Sequence, residues 1–356
     1  MEAQTTTFSP QKVEAFLGRV VTDFGAAFGV TLAYIGDKLG LYKAMAFAGP
    51  LSSEEVAERS GTNERYVREW LINQAAGGYV EYDPDTKKYS LPDEHAMALT
   101  DENVPFHVAG GFQVINGMIK SDERILENFL TGKGMCWGEH HHNLFEGTER
   151  FFRPSYLGNL LNNWLPSIEG IVEKLNSGIT VADLGCGYGS STIIMAEAFP
   201  KSRFTGFDNH AVSIERAQKL AKSKGLLSRL TFEVAGAQNF NGSKYDFITF
   251  FDCLHDLGDP VGALKNCFAH MNDDGVIMAV EPMAGITIQD NFNPVGRIFS
   301  GASVLCCTPN ALASGGNALG AVATDAALEH VARKAGFSHF RRATETPFNR
   351  IFEIRK

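Results

Sequence analysis

Asp183-Leu-Gly-Cys-Gly-Tyr-Gly189 follows the short apolar run Ile179 to Ala182 and precedes the helix-like Ser190-Ser-Thr-Ile-Ile-Met-Ala-Glu-Ala-Phe199. A strand, a glycine turn and a helix start in this order bring backbone close to a nucleoside ligand. A pyrophosphate fingerprint of the G-x-G-x-x-G type needs glycine at position 190, where this chain has serine. The third glycine stands at Gly189 instead, and an acid opens the motif.

That difference bears on the ligand. Asp183 at the carboxyl end of a strand repels a pyrophosphate and suits a cation, and S-adenosylmethionine carries an ammonium and a sulfonium with no phosphate. Gly185, Gly187 and Gly189 are expected to shape the bend around this cofactor. Nineteen residues beyond Gly189 the run Arg203-Phe-Thr-Gly-Phe207 ends in Asp208, placed to accept hydrogen bonds from ribose hydroxyls at a second strand tip. Asp252, which closes the apolar run from Tyr245, is assigned to the cofactor as well.

At 356 residues, with 44% hydrophobic and 21% charged side chains, the chain has an ordinary globular composition and length for two domains. A formal charge of -9 argues against nucleic acid as the main partner. No uninterrupted apolar stretch reaches the roughly 18 residues of a bilayer span, and the start lacks the pattern of a secretory signal; the expectation is a cytoplasmic protein without a membrane partner. The six cysteines, at 136, 186, 253, 267, 306 and 307, form no C-x-x-C pair, which suits reduced thiols. Adjacent Cys306 and Cys307 chelate a metal poorly, and no metal is expected.

Residues Lys12 to Ala46 carry helix-spaced apolar positions (Val13, Phe16, Leu17, Val20, Val21, Phe24), read as a pair of helices buried against a partner subunit. Ser52 or Ser53 caps a helix that Gly61 ends, and Thr62 or Asn63 caps a second. Tyr79 to Tyr82 and Lys87 to Leu91 read as a hairpin around Asp83-Pro-Asp-Thr86. Helix, turn, helix and hairpin make a winged helix. Residues 51–100 hold ten acids against five lysines and arginines, the wrong balance for a groove reader, so a dimerisation platform is the preferred use. From Ile179 onward, strands near 179–184, 203–208, 230–234, 245–251, 275–281, 338–344 and 349–354 alternate with helices. This predicts an α/β protein, a Rossmann-like seven-stranded sheet preceded by a mainly helical winged-helix domain. The expected boundaries are 1–100 for the winged domain, 101–177 for a helical linker with a pocket-lining insert at 132–152, and 178–356 for the cofactor domain.

These stretches resemble a known family. Asp183 to Gly189, Asp208, Tyr245-Asp-Phe-Ile-Thr-Phe-Phe-Asp-Cys-Leu-His-Asp256 and Asp274-Gly-Val-Ile-Met-Ala-Val-Glu-Pro282 look like the ordered motifs of class I S-adenosylmethionine-dependent methyltransferases. The winged half resembles the dimerisation domain of small-molecule O-methyltransferases. It is most similar to a group of bacterial and invertebrate winged-helix methyltransferases that share Gly147-Thr-Glu-Arg-Phe-Phe-Arg-Pro154 and Asn293-Pro-Val-Gly-Arg297. The resemblance implies a homodimer and a His-Asp pair, matching His255 and Asp256, that removes the acceptor's proton. It also implies a flanking glutamate, matching Glu281. This chain departs from the pattern twice. The stretch Ala235-Gly-Ala-Gln-Asn239 lacks the usual adenine-binding acid, leaving Gln238, Asn239 or the backbone for that bond, and Gly320 to Thr324 lacks the second flanking acid.

The reading is therefore methyl transfer to a small-molecule hydroxyl or thiol. A ligand-sensing transcription regulator and a catalytically silent paralogue remain as alternatives. In the glycine- and histidine-rich insert, Trp137, His140, His142 and Phe152 are candidate walls of the acceptor pocket, with Arg297 a candidate partner for an acidic acceptor.

Overall fold

The computed structural model describes residues 8–242 and 244–356. The chain divides into two compact units. The first runs through Glu102 and takes in His107–Phe112; the second holds Asn103–Phe106 and Gln113–Lys356.

In the first unit the expected pair of N-terminal helices is one long helix, Pro10–Leu39, followed by the short Leu41–Met45. Ser9 caps its start, Pro10 supplies a preset φ, and Gly40 ends it in the left-handed conformation at φ 72°. Gly36 sits where the helix meets Trp70: a Cβ there falls 2.5 Å from the indole, whose Nε1 donates to Leu32 O at 2.8 Å. On the rest of the helix Phe16, Leu17, Val21, Phe24 and Phe28 are each more than half exposed. Contrary to the reading from uninterrupted runs, this helix is long and apolar enough to cross a membrane, by length and composition only; charged residues interleaved along it hid that from a search for unbroken stretches.

The winged helix follows the expected order. Ser52 and Glu55 form a capping box at the start of Ser53–Ser60, and Asn63 caps Glu64–Ala76. β1 (Glu81–Asp83) pairs antiparallel with β2 (Lys88–Ser90). Leu41, Tyr42, Met45, Val56, Val67, Trp70 and Leu71 fill this unit's core.

The second unit is built on seven strands. β3 (Thr180–Leu184), β4 (Arg203–Asp208), β5 (Leu230–Val234), β6 (Tyr245–Phe251), β7 (Met271–Pro282), β8 (His339–Glu345) and β9 (Asn349–Arg355) lie in the order β5-β4-β3-β6-β7-β9-β8. The first five in that order are parallel and β9 is antiparallel to both neighbours. The order reverses between β3 and β6, and their carboxyl ends open the crevice where such sheets bind ligands. Phe204, Phe207, Phe247, Phe250 and Phe352 are buried on the sheet's two faces, as expected of strands covered on both sides.

The 132–152 insert is part loop and part helix. Only its first part is irregular; His142–Asn159 is a helix. Gly147 and Gly117 lie where this helix packs on its neighbour: added Cβ atoms fall 2.6 Å from Val114 N and 2.5 Å from Leu144 N. Those glycines therefore serve close helix-to-helix approach rather than loop freedom.

Candidate active site

The principal cavity of the second unit lies at the carboxyl ends of the parallel strands. It is lined by Gly185–Tyr188 after β3, Asp208 and Asn209 after β4, Ala235–Gln238 after β5, and Phe251–Cys253 with Asp256–Gly258 after β6. Trp137, Phe145, Thr148, Glu149, Phe152 and Tyr156 close it from the insert and its helix, and Ser190, Ser191, Ser213, Asn310 and Ser314 complete it.

The glycine bend is built by backbone geometry. Gly185, Gly187 and Gly189 have φ of 70°, 53° and 81°, values that strain any residue with a Cβ. Their tasks differ. At Gly185 a Cβ meets Cys253 Sγ at 2.6 Å and at Gly189 it meets Phe232 at 2.5 Å, whereas at Gly187 it meets nothing within 4 Å. Gly189 therefore packs the helix onto the sheet and is not on the cavity wall; Gly185 and Gly187 are.

Asp183 departs from its expected role. Its carboxylate accepts from Ser191 Oγ, Thr192 Oγ1 and Thr249 Oγ1 at 2.8, 2.6 and 2.9 Å, it is fully buried, and it does not line the cavity. Burial pushes its carboxyl up to about 6, against the pull of those three hydroxyls. It is a joint between β3, β6 and the Ser190–Ala198 helix, because the strand's alternation turns its side chain into the sheet-helix interface.

Asp208 does line the cavity. Its Oδ2 accepts from Gly187 N at 2.9 Å and its Oδ1 from His210 N at 2.8 Å, so it also holds the bend; burial raises its carboxyl, opposed by those two backbone bonds. Each oxygen keeps a second lone pair for a ribose hydroxyl. Of the two adenine candidates, Gln238 lines the cavity, while Asn239 Oδ1 accepts from Gly236 N at 2.9 Å and fixes the turn.

Asp252 is the strained member. It is a non-glycine residue at φ 52°, with Oδ1 accepting from Asn349 Nδ2 at 2.8 Å. Oδ2 is buried and has no hydrogen-bond partner among the described residues. Burial, with the Glu281 carboxylate second, drives its carboxyl well above the usual range. A buried carboxylate oxygen without a partner is costly unless a cation or donor meets it, and the ammonium and sulfonium of S-adenosylmethionine supply that charge. The glycine bend, Asp208 and this oxygen thus fit the cofactor.

His255 and Glu281 are brought together but stand behind the wall. His255 Nδ1 donates to Glu281 Oε2 at 2.7 Å, and Glu281 Oε1 accepts from Leu254 N at 3.1 Å. His255 is 3% exposed and does not line the cavity. Burial alone lowers its pKa, but the Glu281 carboxylate and the contact with Cys307 raise it well above the usual value. The stretch that lacks a second acid, Gly320 to Thr324, still reaches this histidine, with Gly320 N donating to His255 O at 3.2 Å. Cys307, in the π-helical turn Ser303–Cys307, takes the place of the missing side-chain partner. The next residue, Asp256, is on the wall. Burial pushes its carboxyl up to about 7, against the pull of His255. Asn310 anchors this region: its Oδ1 accepts from Trp137 N at 3.0 Å and its Nδ2 donates to Asp256 O at 3.1 Å.

Of the acceptor candidates, Trp137 and Phe152 line the cavity. His140 is buried with Nδ1 3.3 Å from Ser121 Oγ, His142 opens the helix, and Arg297 is exposed on Pro294–Ala302; none of the three reaches the cavity. His140 precedes the helix and turns toward Ser121, while His142 is carried by the helix itself. Glu149, Tyr156, Phe251 and Asn310 escaped the sequence reading. Glu149 and Tyr156 sit on one helix at a spacing of seven, a signal available only once a helix was assigned there.

Comparison with known proteins agrees with this geometry. Residues 26–101 match the Rv2258c-like winged HTH domain and residues 175–323 a methyltransferase domain. The chain is 29% identical over 161 residues to a tRNA U34 carboxymethyltransferase of Aliarcobacter butzleri, covering 45% of this chain and 47% of that protein. It is 32% identical over 133 residues to a ubiquinone biosynthesis O-methyltransferase of Actinobacillus pleuropneumoniae, covering 35% and 54%. The chain thus spans about half the length of these curated relatives. Human N-acetylserotonin methyltransferase in complex with SAM superposes with a TM-score of 0.69 at 16% identity, over 99% of each chain. An O-methyltransferase family protein from Burkholderia thailandensis gives 0.70 at 15%, over 96% and 98%. At such identity these two structures speak to the fold. Fold and site define the class I S-adenosylmethionine-dependent methyltransferase architecture. Within it, this chain carries an N-terminal winged helix-turn-helix domain of the Rv2258c-like type.

Proposed function

We propose that the protein is a cytosolic, homodimeric methyltransferase that moves a methyl group from S-adenosylmethionine to a hydroxyl or thiol of a small molecule. The observation that carries this reading is one cavity where the Gly185–Gly187 bend, Asp208 and the partnerless Asp252 oxygen converge with aromatic walls. Gly185 and Gly187 allow close approach of the nucleoside, Asp208 accepts from its ribose, Gln238 faces its adenine, and Asp252 answers its positive charge. When bound, S-adenosylmethionine supplies a methyl carbon activated by a sulfonium leaving group.

The protein's main contribution is alignment, which supplies roughly 7 to 11 kcal/mol of such barriers. Trp137, Phe145, Phe152, Tyr156 and Phe251 hold the acceptor and exclude water from it. Asp256 is the proton acceptor of this reading in preference to His255, because it is on the wall and titrates near neutrality. His255 and Glu281 position the turn that presents it. A thiol acceptor, partly ionised at neutral pH, needs the base less. The exposed apolar face of Pro10–Leu39 supports a homodimer, and the acid-rich winged helix favours an enzyme over a DNA-binding regulator.

The test is a screen of small hydroxyls, thiols and amines for enzyme-dependent release of S-adenosylhomocysteine. Turnover with hydroxyls or thiols supports the reading. Calorimetry that finds no binding of S-adenosylmethionine or S-adenosylhomocysteine overturns it.

A further inference from the structure

We infer that the acceptor is an aromatic molecule that carries no anionic group. The inference rests on the methyl-transfer reading and names the substrate class for the same cavity.

Every ionisable acid or base among the lining residues, cysteine and tyrosine apart, is acidic: Glu149, Asp208, Asp252 and Asp256. Among the described residues no lysine, arginine or histidine is on the wall. Basic groups near it are engaged elsewhere. Arg216 lies 4.3 Å over the Tyr188 ring and 3.8 Å from Glu146. His210 Nδ1 is 2.8 Å from Ser213 Oγ, and His255 donates to Glu281. Asp208 and Asp252 are given to the cofactor in this reading, which leaves Glu149 and Asp256, both acids, for the acceptor. An acceptor bearing a carboxylate or phosphate must give up its hydration to enter and meets no cation there, while like charges in a desolvated cavity repel strongly.

The rest of the wall selects a ring. Trp137 and Phe145 have centroids 5.5 Å apart, Phe152 and Tyr156 stack at 6.3 Å with planes 11° apart, and Phe251 meets Tyr156 edge-on at 5.2 Å. Aromatic faces also attract cations, so a cationic side chain on the acceptor is accepted where an anionic one is refused.

The experiment is calorimetric binding to protein saturated with S-adenosylhomocysteine, using three probes that share a phenol: methyl 4-hydroxybenzoate, tyramine and 4-hydroxybenzoate. The expected result is binding of the ester and tyramine, with the carboxylate at least about ten-fold weaker. Glu149→Gln is expected to narrow that gap. The inference is overturned if the carboxylate binds as tightly as its ester, or if neither the ester nor tyramine binds. Its failure is distinct from that of the methyl-transfer reading, which fails on S-adenosylhomocysteine itself; in that case the same comparison on the free protein still reads the cavity's charge preference.

Discussion

His255 Nδ1 and Glu281 Oε2 are 2.7 Å apart in a pocket that leaves both side chains almost wholly buried. The pair joins the turn after β6 to the end of β7, just behind the wall formed by Asp256.

Because Glu281 and His255 are each other's buried partner at 2.7 Å, and the Glu281 carboxylate raises the histidine's pKa, removing either member strands a buried polar group. His255→Ala is expected to cost about 3 to 5 kcal/mol of stability, read as a fall in Tm. A His pKa raised on folding gives stability that is complete below the unfolded value of about 6.5 and lost as pH rises through the folded value. The gap between wild type and His255→Ala should therefore persist at pH 7 and shrink at strongly alkaline pH. A gap that does not change with pH would contradict a protonated histidine.

Asp256 should behave in the opposite sense. Its carboxyl is raised by burial to about 7 in the folded protein, so the folded state holds a proton that the unfolded state has released between roughly pH 4 and 7. Stability is lost as pH rises through that window. Asp256→Asn is expected to match wild type at about pH 4 and below and to exceed it at pH 8 by up to a few kcal/mol, while hydroxyl methylation falls about 10²- to 10⁴-fold. Wild-type rates should rise with pH through about 7. A flat pH profile, with full activity in the variant, would remove Asp256 from the reaction.

Gly185 and Gly187 should separate stability from binding. Alanine at either pays left-handed strain of about 1 to 2 kcal/mol, but at position 185 the added Cβ also meets Cys253 Sγ at 2.6 Å. Gly185→Ala should lower Tm more. Gly187→Ala points into open cavity and should weaken S-adenosylhomocysteine binding with the smaller loss of Tm. Equal effects on both measurements would show that the bend plays one structural role.

Asp208→Asn should weaken cofactor binding about ten- to a hundred-fold, the equivalent of a charge-assisted hydrogen bond of roughly 1.5 to 3 kcal/mol. It should also lower Tm, because Asp208 accepts from Gly187 N and His210 N. Unchanged affinity in calorimetry would mean the ribose is bound elsewhere.

The exposed apolar face of the first helix gives a prediction for assembly. Val21→Glu with Phe24→Glu should convert a dimer to monomer in sedimentation analysis at micromolar protein while leaving the second unit's Tm unchanged. A wild type that is monomeric at high concentration would refute the homodimer.

The sheet was legible along the chain because parallel strands covered on both faces read as short apolar runs, and because Gly185, Gly187 and Gly189 are required by local backbone angles. The winged helix was legible through its caps, Ser52, Gly61 and Asn63, which act within a turn of their own position. Asp208 was found for the same reason: a residue at a strand's carboxyl end lies at the crevice whatever else surrounds it; Asp256 came instead from the resemblance to the methyltransferase motifs. What residue types and spacing could not convey was orientation. Asp183 turns into three hydroxyls, His255 turns into Glu281 and Cys307, and His140 turns toward Ser121. Side-chain direction depends on neighbours distant in the chain. Local chemistry therefore named the strand ends and their acids, while packing between elements decided which of those acids face the cavity.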